Sequence, residues 1–240
     1  MLRILDVLGE NSAPLGFDAL HGRLGFTRST LYRYLKILTD AGLVASSPEA
    51  GFSIGPRITE LDYRMRQHDP LITASRPVMA ELAQATAGIA LLCRRYGDRV
   101  LCVHQERGTN AFRSTYERGL ARPLFRGAAS RVILAHLPGP AIARLQTSQA
   151  EALAESGLPT ALQPLRAALR AIRQRGWDVT EGQVTPGVTG IAAALSDSRG
   201  EVLGSLSVTL GRTGLSPDET ARIAERVTFC AGIVNKTLAG

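Results

Sequence analysis

GFTRSTLYRYLKILTDAGLV, residues 25–44, separates its side chains into two kinds. Leu31, Leu35 and Leu38 recur at i, i+4 and i+7, one apolar stripe of a helix. Arg28, Tyr32 and Lys36 recur at i, i+4 and i+8 on the opposite face, with Ser29 and Arg33 one step round. No acidic residue stands between Gly25 and Ile37. Thr27 is placed to cap the helix start, its hydroxyl accepting from an orphan backbone N–H. Gly42 can close the last turn with left-handed angles. The spacing therefore predicts a helix with one face for a protein core and the other for something negative.

The flanking sequence supplies the frame. Ile4, Leu5 and Leu8 predict a short amphipathic helix stopping at Gly9, and Phe17, Leu20 and Leu24 predict a second one after Pro14 and Gly16. Gly25-Phe26 is then the tight corner of a helix-turn-helix. LVAS (43–46) and GFSI (51–54) read as two short strands joined through Pro48, a wing directly behind the basic helix. The early part of such a helix enters the major groove, which directs Ser29, Thr30, Tyr32 and Arg33 toward bases or phosphates. Thr27, Arg28 and Lys36 are expected on phosphates, which set register without reading sequence.

Bulk charge is a poorer guide than this local face. The 240 residues carry a formal net charge of +7, yet residues 1–57 hold six Arg/Lys against five Asp/Glu. The excess lies downstream. An apolar share of 45% allows a real core, and no uncharged apolar run is long enough to span a bilayer. The first residues, MLRILDVLGE, are interrupted by Asp6 and too short for a signal-peptide core. Cys93, Cys102 and Cys230 form no framework, which fits a reducing compartment, and a cytoplasmic location with no membrane partner is expected.

Residues 56–68, PRITELDYRMRQH, predict a charged linker helix that Pro70 ends. The expected domains are thus 1–56, a linker over 57–69, and 70–240. Within the last, helices are expected at Arg76–Ala87, Ala129–Leu137, Leu165–Arg175 and from Pro217 to about Leu238. Strands are expected near Ile89–Cys93, Val100–Gln105, Thr189–Leu195 and Val202–Leu210. Strands mixed with helices, without regular βαβ alternation, give an α+β class with a mostly antiparallel sheet.

No phosphate-binding glycine loop, nucleophile elbow or cysteine–base pair is present. Cys102 and His104 lie two apart on one predicted strand, but no further ligand is arranged to complete a metal site. No catalytic residue, metal or cofactor is therefore expected. RGAASRV (126–132) puts small residues at a helix start, where bare N–H groups and the positive helix end favour a carboxylate. The same small residues would also permit close helix-to-sheet packing. Nine arginines crowd residues 94–131, with Arg126 and Arg131 nearest that helix start.

Across nearly its full length the chain resembles the IclR family of bacterial transcription regulators. The resemblance lies in LRILDVLGE, GFTRSTLYRYLKILTDAGLV, GFSIGPRITEL, RPLFRGAASRVILAHLP, RQRGWDVTEGQVTPGVTGIAAAL and GSLSVTL, in that order. It implies a winged helix-turn-helix domain, a linker helix and a GAF-like effector domain, assembled as homodimers or dimer pairs (homotetramers). It also implies a carboxylate or aromatic acid effector held by Ala128, Ala129, Ser130, Thr180, Glu181, Gly190, Ser207 and Thr209. Ser207 and Thr209 alternate along a strand and so project to one side. Ser130-Arg131 stands where relatives commonly have Gly-Lys, Gly190 for a cysteine, Ala194 for a proline, and Thr180, beside Glu181, for an aspartate. The expected function is a ligand-responsive, sequence-specific regulator of transcription that binds double-stranded operator DNA. Two other readings remain open at this point: an effector-type domain with enzymatic activity, and an oligomerisation module without ligand.

Overall fold

Ile4 and Leu8 are buried from α1 (Arg3–Gly9), the first element of the computed structural model, which describes residues 1–109, 112 and 116–239. Next, α2 (Phe17–Leu24) ends where Gly25 takes φ +69° and donates its N–H to the His21 carbonyl. The basic helix is α3 (Arg28–Asp40), and Thr27 Oγ1 accepts the Thr30 N–H at 3.3 Å as its cap. Leu31, Leu35 and Leu38 turn inward against Ile4, Leu8, Leu20 and Leu24, forming the core of this unit. Replacing Thr27 with Ala is expected to cost about 1 kcal/mol, read as a lowered urea midpoint of the helical signal. An unchanged midpoint would show that the hydroxyl contributes nothing to the helix start.

The wing follows. Antiparallel β1 (Val44–Ser47) and β2 (Gly51–Ile54) pair with Val44 opposite Ile54, and Leu15 adds a bridge, exchanging two 2.9 Å hydrogen bonds with Phe52. At the exit of β2 only glycine fits: a Cβ on Gly55 would stand 2.2 Å from the Gly42 carbonyl oxygen. The last element here, α4 (Arg57–His68), buries none of its residues. Met1–Asp69 make up one compact unit and Pro70–Gly240 a second.

In the second unit Pro70 starts a helix instead of only ending one. α5 (Pro70–Thr86) is longer than the expected Arg76–Ala87, because a proline in the first turn has no needed N–H to lose. Pro77 lies inside it, while Ile72, Met79 and Leu82 hold its inner face in the core. A hairpin of β3 (Ile89–Tyr96) and β4 (Arg99–Arg107) comes next, then short β5 (Ala121–Pro123) and the fully buried α6 (Ala128–Ala135). The polar stretch after α6 holds two helices beyond those expected from the sequence, α7 (Gly139–Ser148) and α8 (Ala150–Ala154). They precede α9 (Leu162–Arg175), β6 (Trp177–Glu181), β7 (Thr189–Ser196), β8 (Val202–Leu210) and α10 (Pro217–Ala239). All strand pairs of the sheet β5-β4-β3-β8-β7-β6 are antiparallel.

Strand alternation assigns each residue of this sheet to one of two cores. Ala90, Leu92, Ile191, Ala193, Leu206 and Val208 pack on the side of α5 and α10. Ile89, Leu91, Cys93 and Ala192 pack with the α6 and α9 side. On β8 the latter side carries Ser205, Ser207 and Thr209, hydroxyls in an otherwise apolar layer. Ser205 Oγ donates to the Ala129 carbonyl at 2.9 Å and so ties β8 to the first turn of α6.

Candidate DNA-binding face and ligand cavity

The outward face of α3 carries the residues singled out from the sequence, but they are not equally available. Ser29, Tyr32, Arg33 and Lys36 are exposed, Tyr32 to 68%. Thr27 and Thr30 share a 2.9 Å hydroxyl–hydroxyl bond, so both help to hold the helix start. Arg28 is drawn back toward α2, with Nη1 2.7 Å from Asp18 Oδ1 and its guanidinium 5.0 Å from the Phe17 ring centre. Lys36 lies 3.2 Å from Asp40, one turn on. Both acids flank the acid-free stretch. Arg33 rests 5.6 Å from the Tyr34 ring centre, with no carboxylate partner among the described residues. Its charge is therefore the least engaged on this face.

In the second unit a cavity of about 40 Å³ opens at the start of α6. Ala128, Ala129, Ser130, Thr180, Gly190, Ser207 and Thr209 all line it, joined from α6, β6, β7 and β8. Glu181 does not. Thr180 and Glu181 are successive residues of one strand and point to opposite sides of the sheet. The Glu181 carboxylate instead accepts the Gly214 N–H at 3.1 Å and the Thr189 hydroxyl at 3.5 Å.

The Gly127 and Ala128 amides at the helix start are not bare, as the small residues alone suggest. Gly127 N–H donates to Gln183 Oε1 and Ala128 N–H to Thr180 Oγ1, each at 3.1 Å. The Ser130 and Arg131 amides return to the Gly127 carbonyl, also at 3.1 Å. β6 and the turn after it thus supply neutral acceptors where a carboxylate was expected. Gly127 makes this possible: its φ is +86°, and a Cβ added to it would stand 2.8 Å from Val184 Cγ2. Gln183, Val184, Thr185 and Val188 complete the lining on this side, together with Tyr116 and Leu91. None of these six was expected from the sequence. Gln183–Val188 lie in a Pro/Gly-containing turn, which carries no periodic signal; only their position between two strands could have flagged them.

Of the two arginines near α6, Arg126 borders the cavity and Arg131 does not. Arg126 Nε donates to the Gln183 carbonyl at 2.6 Å, and Nη1 stands 3.9 Å from Glu155. Arg131, only 9% exposed, is held by the Phe125 and Ser156 carbonyls and by Asp178 at 3.7 Å. Burial pushes the Asp178 carboxyl up and the Arg131 guanidinium down, and each is opposed by the other's charge. Arg175, 2.8 Å from Asp178, adds a second cation to this structural pair. Arg113, another of the crowded arginines, lies outside the described residues.

Cys102 and His104 do not form a metal pair. A β-bulge beside Cys93 sets Cys102 opposite Cys93 on the α6 side and His104 opposite Leu92, which faces α5 and α10. His104 Nε2 is 2.8 Å from Glu106 Oε1, and no metal-binding group of three side chains occurs among the described residues. The hydrogen bond with Cys93 and burial push the Cys102 thiol up, and burial pushes the Tyr116 phenol up. Both stay neutral, Tyr116 within the lining of the cavity.

A winged helix with a cationic outer face, followed by a sheet unit with a small, mainly apolar cavity, defines the class of two-part, DNA-binding transcription regulators. The family profile described as "Bacterial transcriptional regulator IclR C-terminal" matches residues 64–235, and that of the "IclR helix-turn-helix domain" matches residues 1–48. The chain belongs to the IclR family and is a DNA-binding regulator of transcription. It is 25% identical over 226 residues to the probable HTH-type transcriptional regulator ArcR of Halobacterium salinarum, covering 92% of this chain and 84% of that one. An IclR transcriptional regulator from Alicyclobacillus acidocaldarius superposes with a TM-score of 0.81 at 20% identity, over 99% of this chain and 96% of that one. An IclR homologue from Microbacterium hydrocarbonoxydans, complexed with 4-hydroxybenzoate, does so with 0.72 at 19% identity, over 99% and 96%.

Proposed function

We propose that the regulator senses a small organic acid in the α6 cavity and reads its operator through α3 as a homodimer or a pair of dimers. The observation that supports the effector reading is that seven of the eight residues implied by the family resemblance line one cavity, from four separate elements, and that its described lining contains no acidic side chain. Hydroxyls, amides and Arg126 are the polar groups left, and all suit a carboxylate. The incoming carboxylate takes over the Gly127 and Ala128 amides from Gln183 and Thr180, which couples binding to movement of the β6–β7 turn. A charged acceptor makes the stronger bond at a helix N-terminus, which drives the exchange. The cavity as it stands holds roughly three waters, so an aromatic acid requires Gln183 to swing aside. The relative bound to 4-hydroxybenzoate supports an acid of that class here.

A thermal-shift screen tests this, with 4-hydroxybenzoate and short-chain acids set beside their methyl esters. An acid at a hundred times its dissociation constant stabilises the native protein by about 2.7 kcal/mol. Esters that shift the melt as much as the acids would end the carboxylate reading. The lining offers no thiol, imidazole or carboxylate among the described residues, so a bound acid should be recovered unchanged. Turnover would replace the sensor by the enzyme reading.

On the DNA side, Arg33 reads a base edge and Lys36 a phosphate, with Ser29, Thr30 and Tyr32 beside them and Thr27 and Arg28 at the backbone. Arg33→Ala is expected to cost about 1–3 kcal/mol on the operator and little on random duplex. Lys36→Ala weakens both alike and lowers the magnitude of the salt slope by about one. Equal losses on both duplexes for both variants would reduce Arg33 to another phosphate contact. The regulator acts where its operator is, in the cytoplasm, and no described helix is long and apolar enough to cross a membrane. Ile58, Leu61 and Met65, exposed at i, i+3 and i+7 on α4, supply the self-association stripe. Leu61→Asp should halve the mass of the particle and lose paired half-site protection; an unchanged mass would move the dimer contact elsewhere.

A further inference from the structure

α9 repeats, in the second unit, the separation of side chains that marks α3. Leu165, Leu169 and Ile172 turn inward and pack in the core shared with α6. Arg166, Arg170 and Arg173 recur at i, i+4 and i+7 along another side of the helix. No acidic residue stands between Glu155 and Asp178. Arg170 and Arg173 are exposed, while Arg166 is half-buried and donates from Nη2 to the Gly139 carbonyl at 3.3 Å. Among the described residues none of the three has a carboxylate partner. Other arginines of this unit do: Arg107, Arg131, Arg144 and Arg212 each stand against an acid. On α10 the contrast is sharper. Arg222 and Arg226 are also one turn apart there, but Glu219 and Glu225 share their grooves.

We infer that the arginine face of α9 is a second DNA contact, which grips backbone phosphates of the duplex without reading bases. Three cations with no acid among them fit a polyanion, and the polyanion this regulator already binds is DNA. The length fits as well. From Arg166 to Arg173 the helix rises about 10 Å, over which each strand of B-DNA presents about three phosphates. Guanidinium forks match phosphate oxygens bidentately. Exposed Ala167 and Ala171 keep the adjoining surface low, so that a backbone can approach, and exposed Gln163 and Gln174 add neutral donors to phosphate. The contact gives a role to part of the downstream excess of positive charge, which α3 does not use. It is separate from the Arg33 and Lys36 contacts proposed above and survives if either of those fails.

Salt-titrated binding of the full chain tests it, on operator and scrambled duplexes with about 20 flanking base pairs on each side, long enough for several more phosphate contacts. Arg170→Gln/Arg173→Gln removes two exposed charges with good helix formers, so its melting curve should match the wild type. Its salt slope should be smaller in magnitude by about two on both duplexes. Between about 50 and about 200 mM salt the wild type should then lose about tenfold more affinity than the variant. Arg170→Lys/Arg173→Lys keeps the charge and should keep the slope. Arg222→Gln/Arg226→Gln removes the same charge from the mixed face of α10 and should stay near the wild type. Hydroxyl-radical footprints of the α9 glutamine variant should lose backbone protection at positions that Lys36→Ala leaves protected. A wild-type slope for that variant, an equal loss for the α10 variant, or a footprint that loses only what Lys36→Ala loses overturns the inference.

Discussion

Leu35→Ala is expected to remove about 2–5 kcal/mol from the N-terminal unit, the cost of emptying a core site that cannot fully collapse. Leu35 is 2% exposed and stands between Leu31 and Leu38 on the inner face of α3. A unit the size of Met1–Asp69 has a total stability of roughly 3–10 kcal/mol at ordinary per-residue values. The substitution therefore removes a large share of it, and operator binding should fall with the stability of the fold. Trp177, the single tryptophan, lies in the second unit and reports only on that unit. The expected pattern is an early loss of helical circular dichroism with the Trp177 fluorescence transition left in place. A variant that keeps the wild-type helical melt would show that α3 is not anchored through Leu35. Arg33→Ala gives the opposite signature: a wild-type melt with weakened operator binding.

That division between α3's two faces is legible in the sequence because period, cap and corner agree. Thr27, the leucine stripe and Gly25 each act within a few residues of chain. Local consistency of this kind also locates β7, β8 and α10, whose apolar patterns are long. What the sequence leaves out depends on non-local packing. β6 is five residues long, and its polar members Asp178 and Thr180 face inward because Arg131 and the Ala128 amide meet them there. Adjacency in the chain groups Glu181 with Thr180, whereas a strand sends neighbours to opposite faces. Closeness to the helix start groups Arg131 with Arg126, yet five residues of chain carry it past the cavity to Asp178. Small residues at 127–130 mark a place of close approach but do not reveal that Gln183 and Thr180 already occupy the amides there. A turn that covers a helix end from more than fifty positions away leaves no periodic trace.

On the effector reading proposed here, the occupied Gly127 and Ala128 amides would make the site selective by competition, since a ligand must outdo two neutral acceptors that cost nothing to bring. A neutral ligand offers no stronger bond than Gln183 does, whereas an anion does. The same arrangement ties the response to the turn: when Gln183 leaves Gly127, its Nε2 contact with the Ser156 carbonyl, at 2.7 Å, is free to change too. Gln183→Ala should accordingly raise effector affinity by removing a competitor while blunting the change in operator affinity that the effector causes.

Gly190→Val is expected to abolish this response at its source. Gly190 lies on β7 opposite both Thr180 and Thr209, at the floor of the cavity. A Cβ added there would meet Thr180 Oγ1 at 3.7 Å and Thr209 Cγ2 at 3.8 Å, ordinary contact distances that ask nothing to move. The backbone tolerates the change, and a β-branched residue suits a strand interior. The two further methyl groups of valine have only the cavity to enter, and about 40 Å³ leaves no room for both them and a ligand. Effector affinity should fall at least about a hundredfold, or roughly 2.7 kcal/mol, with the melting temperature and unliganded operator affinity near wild type. Gly190→Ala, which adds only the tolerated Cβ, should fall between. The measurement is operator binding titrated with whichever acid raises the wild-type melting temperature. A Gly190→Val protein still released or recruited at the wild-type acid concentration would put the effector outside this cavity, and with it the role assigned to Ala128, Ala129 and Ser130.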